Sequence, residues 1–380
     1  MNRVILLDVD GVLVHPGGYR AALRSTVQRL VGDFKIEEDL LADLEKRGIS
    51  SEWDMSPLIV AAYWDDVLVR QPMKNLSNDV AIAANQIQFQ RSVDVPQQLS
   101  VPEFGLVTGQ YPAETAFQAG YYSRIPEALR KNLLTESRNV HRSVTFRTFQ
   151  HFTLGSKNYE ATYRLPAEFD AESFLLTEDK SNLSVEIRER LKRSGNHLAA
   201  FTARPSGLPN GADGVSHGYA PEAELALKLV GMEDIPLMAF GKLEYIARQH
   251  GLEPAVLVKP SPFQALAATF AAWTGDELSA LQATYEWHRS NELNARFGVL
   301  PDSFDLIVVE DTMGGIFSTL SAGQILNDAG FKVRIFPIGL TCGSKSKAEN
   351  FEKNRVIHFE DWKLLIDYLE NPNLSTHHSV

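Results

Sequence analysis

One cysteine, Cys342, stands in 380 residues. No intramolecular disulfide can form, and a cysteine-built metal cluster is excluded. Long apolar runs are missing as well: none approaches the roughly 18 residues that a membrane-spanning helix needs. Positive charge is in deficit, with 37 Lys and Arg against 48 Asp and Glu and a formal net charge of −11. That balance argues against a nonspecific grip on nucleic acid or on anionic membrane. It leaves room for an anionic substrate, because a metal ion and a few local cations reverse the sign inside a pocket. The first residues run directly into a strand-like segment, without the basic-then-apolar layout of a secretory signal. The expectation is a cytoplasmic protein in a reducing compartment.

What the chain does have is the composition of a globular protein, 44% hydrophobic and 22% charged, at a length that predicts about two or three domains. Its second half alternates short apolar runs at 197–202, 236–240, 255–258, 306–309 and 333–338 with helical patterns at 220–230, 243–250, 262–273, 316–329 and 362–369. Such runs, bounded by turn residues, predict strands buried on both faces. The fold class is therefore α/β, a doubly wound parallel sheet that binds ligands beyond the carboxyl ends of its strands.

Val4 to Leu7 reads as one more strand of that sheet, yet its partners resume only near residue 170. The interval is helical in character: 19–30, 37–45 and 57–68, the last with Ser56 as cap and Pro57 in the first turn, and then 125–134. The stretch 75–111 lacks clear periodicity, and 144–165 is open, since Gly155-Ser156 suits a helix break or a hairpin turn. The reading is one α/β core, 1–16 and 168–380, interrupted early by a large, mostly helical insertion, 17–167. Two further segments lack a derived role. SGLPNGADGVSHGY, 206–219, reads as a loop directed toward the site, and 274–301 as an extra helix.

The chemistry gathers at predicted strand ends. LLDVDGVLV places Asp8 and Asp10 one residue apart, on one face of a strand, where they repel unless a cation or a proton intervenes. HLAAFTARPSG supplies Thr202 and Arg204, AVLVKPSP supplies Lys259, and DLIVVEDTMGG supplies Glu310 and Asp311. Brought together in one crevice, these carboxylates, hydroxyl and ammonium suit phosphoryl transfer. Mg²⁺ takes oxygen ligands such as Asp8 and Asp311. Lys259 offsets charge on the transferring group, and Thr202 donates to a phosphoryl oxygen. Glycines beside the acids permit close backbone approach.

This motif set resembles the haloacid dehalogenase (HAD) superfamily. Its members carry DxDGxx at the first strand, then Thr or Ser after a second strand, a downstream Lys, and a later acidic pair. EDTMGG is similar to the EDxxxG of the beta-phosphoglucomutase-like and phosphoglycolate phosphatase-like branch, VKPSP to its KPxP. The insertion falls where that superfamily places its C1 cap, and the implied core covers more than half of the chain. The resemblance implies Asp8 as nucleophile of an aspartyl-phosphate and Asp10 as general acid and base. It implies metal contacts from Asp8, the Asp10 carbonyl, Asp311 and Glu310, the last direct or through water. The implied partner is a small phosphorylated metabolite, with neither nucleic acid nor membrane. A phosphomutase uses the same residues, and a metabolite-binding protein with a vestigial site is the non-enzymatic alternative.

Lower-ranked readings stand beside these. Lys242, in AFGKLEY, rivals Lys259. Arg204 is a phosphate or substrate contact, or a surface ion pair. GLTCGSKS imitates a phosphate-binding P-loop but has three residues between its glycines, and Ser344 precedes Lys345, so it does not match. Cys342 is a small packing residue. Arg20, Trp53 and Asp54 are candidate substrate contacts in the insertion, although Trp53 suits the insertion's core somewhat better, and Gly17-Gly18 suits a hinge.

Overall fold

A computed structural model describes residues 2–94, 96, 99–193, 195–213 and 218–371. Eight strands are present among them: β1 (Arg3–Leu7), β2 (Val14–His15), β3 (Lys180–Ser181), β4 (Asn196–Phe201), β5 (Leu237–Met238), β6 (Ser303–Glu310), β7 (Lys332–Leu340) and β8 (Ile357–Phe359). Six form one parallel sheet in the order β5-β4-β1-β6-β7-β8, and β2 pairs antiparallel with β3.

Alternation of side chains explains why this sheet is covered on both faces. Val4 and Leu6 turn to one side with Ala199, Phe201, Leu306 and Val308, under the helices Phe240–His250, Pro262–Thr274, Glu277–Ser290 and Met313–Asp328. Ile5 and Leu7 turn to the other with Leu198, Ala200, Ile307 and Val309, under Glu222–Val230 and Trp362–Glu370. The arrangement is Rossmann-like. From β1 the chain moves outward to β4 and β5, then returns to β6 on the far side of β1 and continues to β7 and β8. The order reverses between β1 and β6, which is where a doubly wound sheet opens its binding crevice.

The chain divides into two compact units, Met1–Pro16 with Asp179–Val380, and Gly17–Glu178. The second is helical, with the helix Glu52–Arg70 buried continuously from Asp54 to Trp64. A helix apolar on every side has to be surrounded, and the helices Gly18–Val31, Val80–Gln90, Glu127–Leu134 and Val144–Tyr163 supply the packing. Residues 168–178, read from sequence as core, belong to this unit: the Ser173 hydroxyl donates to Thr153 O at 2.7 Å, and the Phe174 ring stacks on Phe152.

Several local expectations are corrected. The run 255–258 is not a strand but part of a 3₁₀ turn, Pro254–Leu257, with Val256 exposed. Pro254, which opens the turn, has no N–H to give a ladder. The helix expected at 57–68 begins at Glu52, and Pro57 lies inside it while the Ser56 hydroxyl donates to Glu52 O. The stretch 75–111 contains a helix, Val80–Gln90, capped by Asp79; its buried Val80, Ala83, Ala84 and Ile87 carry a helical spacing. Gly155, at φ 73, breaks the helix Val144–Tyr163 and turns no hairpin. Of the loop 206–219, residues 214–217 lie outside the described residues.

The extra segment after 274 has a structural role. Glu277, 1% exposed, accepts the backbone N–H groups of Leu237 and Asn210, each at 2.8 Å, and the Lys242 ammonium at 2.5 Å. It ties the start of β5, the 206–219 loop and the helix after β5 to one carboxylate. Glu277→Ala strands the Lys242 charge in the interior, and a loss of about 3–5 kcal/mol is expected. Urea denaturation checks this: a loss under about 1 kcal/mol contradicts it, and Lys242→Met with Glu277→Leu should recover the part due to the stranded charge but not the part due to the unpaired Leu237 and Asn210 N–H groups.

Candidate active site

β1 and β6 run side by side with Leu7 opposite Val309, so their carboxyl ends bring Asp8 next to Glu310 and Asp311. Oxygen atoms of these three carboxylates lie within 4.8 Å of one another. Such proximity requires a backbone without side chains in the way. A Cβ on Gly11, whose φ is +75°, would stand 2.2 Å from Asp311 Oδ2, and one on Gly315 would stand 1.7 Å from Glu310 Oε1. Both glycines are therefore demanded by the acids they face.

Lys259 holds the cluster together. Its ammonium donates to Asp8 Oδ1 at 2.8 Å and to Glu310 Oε1 at 2.5 Å, and lies 4.3 Å from the Phe201 ring centroid. It does not arrive from a strand end, as expected, but from the turn that enters the helix Pro262–Thr274. Gln264 fixes that turn. Its carbonyl accepts the Lys259 N–H at 3.1 Å, while its amide donates to Thr202 O and Met238 O, both at 2.8 Å. The rival Lys242 is taken up by Glu277.

Electrostatics follow from this crowding. Burial, then repulsion from Glu310, pushes the Asp8 carboxyl well above the usual carboxylate range against the pull of Lys259. Burial likewise raises Glu310. Burial works against charge on Lys259 too, but the Asp8 and Glu310 carboxylates outweigh it, so its pKa rises and the ammonium stays protonated.

Asp10 belongs to a second set. Arg204, 3% exposed, donates through Nε and Nη2 to the two oxygens of Asp10 at 2.8 and 2.5 Å, and through Nη2 to the buried Asp179 at 3.0 Å. Arg204 is thus neither a surface ion pair nor an open cation; it acts on Asp10. The Thr202 hydroxyl accepts the Arg204 N–H at 3.2 Å, which leaves its own hydrogen to donate. Behind the Asp8–Asp10 loop, Asn182 and Cys342 both approach Gly11 O, at 3.5 and 3.4 Å. Beyond β7, Cys342 and Gly343 take left-handed conformations, φ 48 and 79, and the next helix begins at Lys345. Lys347 on that helix donates to Asp311 Oδ2 at 2.6 Å.

Asp8, Asp10, Thr202, Lys259, Glu310, Asp311 and Arg204 thus gather at the carboxyl edge of the sheet. Arg20, Trp53 and Asp54 lie in the helical unit. Asp54, 4% exposed, pairs with Arg138 at 2.5 Å. That guanidinium also covers the Trp53 ring, which meets Tyr19, Phe146 and Phe149. Arg20 is paired with Glu45 and lies 3.5 Å from Glu52.

Sequence reasoning missed Asp179, Gln264 and Lys347. Gln264 had a signal, an amide two places past VKPSP in a helix otherwise of apolar residues and threonine. Lys347 lay within the basic turn of GLTCGSKSK. Asp179 had none, being separated from Asp10 by the whole insertion.

No protein-family model matches the chain, and no curated protein matches its sequence. The chemistry of the site rests on its residues. Three carboxylates within 4.8 Å of one another form an oxygen-only donor set of the kind that holds a hard divalent cation. Without one, the buried acids oppose each other. Asp8→Asn is therefore expected to stabilise the cation-free protein by about 1–2 kcal/mol, as removing one of several buried like charges does. Thermal denaturation in a chelator checks this, and a lower midpoint for the variant would refute it.

Proposed function

We propose that the protein is a Mg²⁺-dependent phosphatase of the HAD kind, which hydrolyses a small phosphorylated metabolite through an aspartyl-phosphate on Asp8. One observation carries the reading. Asp8 sits at the sheet's switch point in contact with Lys259 and beside Glu310 and Asp311, while Asp10, two residues on, is held separately by Arg204.

Each residue then has a task. The Asp8 carboxylate attacks phosphorus, and the ester P–O bond breaks as the acyl phosphate forms. Asp10, whose side chain is 37% exposed, takes a proton from solvent, gives it to the leaving alkoxide, and afterwards takes one from the water that cleaves the acyl phosphate. Arg204 orients Asp10 and divides its charge between Asp10 and Asp179. Lys259 offsets charge on the transferring group, and the Thr202 hydroxyl donates to one of its oxygens. Asp8, Asp311, the Asp10 carbonyl and Glu310 would hold Mg²⁺, which supplies charge neutralisation between nucleophile and phosphate dianion. The helical unit is read as the cap that selects the substrate, with Arg20, Trp53 and Asp54 among its selecting residues.

A panel of sugar, glycolate and nucleotide monophosphates tests the proposal. Phosphate release that requires Mg²⁺ is expected. Asp8→Asn should reduce it to background, and Asp10→Asn should lower it about 10²–10⁴-fold. No turnover on the panel, or full turnover by Asp8→Asn, refutes the reading. Isomerisation that needs a bisphosphate activator would replace it with a mutase.

A further inference from the structure

The segment GLTCGSKS matches no nucleotide-binding pattern, yet it delivers Lys347 to the acidic trio. Around Asp8, Glu310 and Asp311 stand two ammonium groups, and they are not equivalent. Lys259 bridges two carboxylates, is 10% exposed at its side chain, packs over Phe201, and has its backbone pinned by Gln264. Lys347 has one charged partner among the described residues, Asp311, and its side chain is 34% exposed. It sits in the first turn of the helix Lys345–Lys353, on a flexible stem that can leave without opening the core.

The charges around the trio give this asymmetry a consequence. Three carboxylates against two ammonium groups leave one negative charge, so the cluster is nearly neutral without a metal. A divalent cation makes one ammonium surplus, and Lys347 is the one free to move. Lys259 cannot leave without stranding Asp8 and Glu310 in a buried position.

We infer that Lys347 is the exchangeable counter-cation of this site: it holds Asp311 when the site is without a divalent cation and competes with that cation for the same carboxylate. The inference rests on reading Asp8, Glu310 and Asp311 as a cation site. Lys347 is then a positioning residue for Asp311. It keeps the empty trio from flying apart and weakens cation binding below what three carboxylates alone would give. The enzyme would consequently load over a higher range of cation concentration.

Calorimetric titration of the full chain with Mn²⁺ and Mg²⁺ tests this, using wild type, Lys347→Met and Lys347→Arg. Removing one positive charge within a few ångströms of a dication should tighten binding at least about tenfold in Lys347→Met, even with water-like screening. Lys347→Arg keeps the charge and should stay close to wild type. In a chelator, Lys347→Met should melt below wild type, and saturating Mn²⁺ should reverse that order. Equal or weaker cation binding by Lys347→Met overturns the inference while leaving the cation site in place. Absence of binding by all three proteins overturns the cation site, and the inference with it.

Discussion

Three carboxylates brought to the ends of two adjacent buried strands repel one another and lose their hydration, and the Lys259 ammonium between Asp8 and Glu310 is what makes that geometry tenable. Much of the surrounding structure serves to put Lys259 there. Gln264 joins the Lys259 turn to the ends of β4 and β5 through three hydrogen bonds, so the helix Pro262–Thr274 and the sheet edge share one fixed point. Gly11 and Gly315 remove the atoms that would stand where the acids are. A change in any of these acts on the same buried charge balance.

Asp10 is kept out of that balance. It lies only two residues from Asp8, but its carboxylate turns to Arg204, which Asp179 shares. The two acids of the first loop therefore occupy different electrostatic settings: Asp8 is buried among carboxylates, and Asp10 is half-open to solvent against a guanidinium. In the proposed reaction this separation matches a division of labour, since a nucleophile has to be held near charge and a proton carrier has to exchange with water. Asp179 sits where the chain re-enters the core after the insertion, next to the β2–β3 pair, so the second acid's support comes from the far side of the helical unit in sequence.

Legibility in the sequence follows a physical gradient. The apolar runs of β1, β4, β6 and β7 were readable because strands buried on both faces must be apolar throughout. β8 escaped because three residues at a sheet edge carry too little pattern, and 255–258 was misread because a short apolar run has no period to separate strand from turn. The helix Val80–Gln90 was legible in its buried spacing but masked by surrounding Gln, Asn and Ser. Glu52–Arg70 began earlier than Pro57 implied because packing on all sides outweighed the local signal of a proline.

The sequence by itself determined which polar residues lie at the strand ends, Asp8, Asp10, Thr202, Glu310 and Asp311, since a parallel sheet must deliver those ends to one edge. It also determined the α/β class, because alternating buried runs and amphipathic helices have few other ways to exclude water. Only the tertiary structure decided the partners: Lys259 on both Asp8 and Glu310, Arg204 on Asp10, Gln264 beneath the Lys259 turn, and Lys347 on Asp311. Those choices depend on contacts between residues far apart in the chain, where one side chain's reach and one glycine's missing Cβ settle which charge meets which. Local pattern carries no record of that distance.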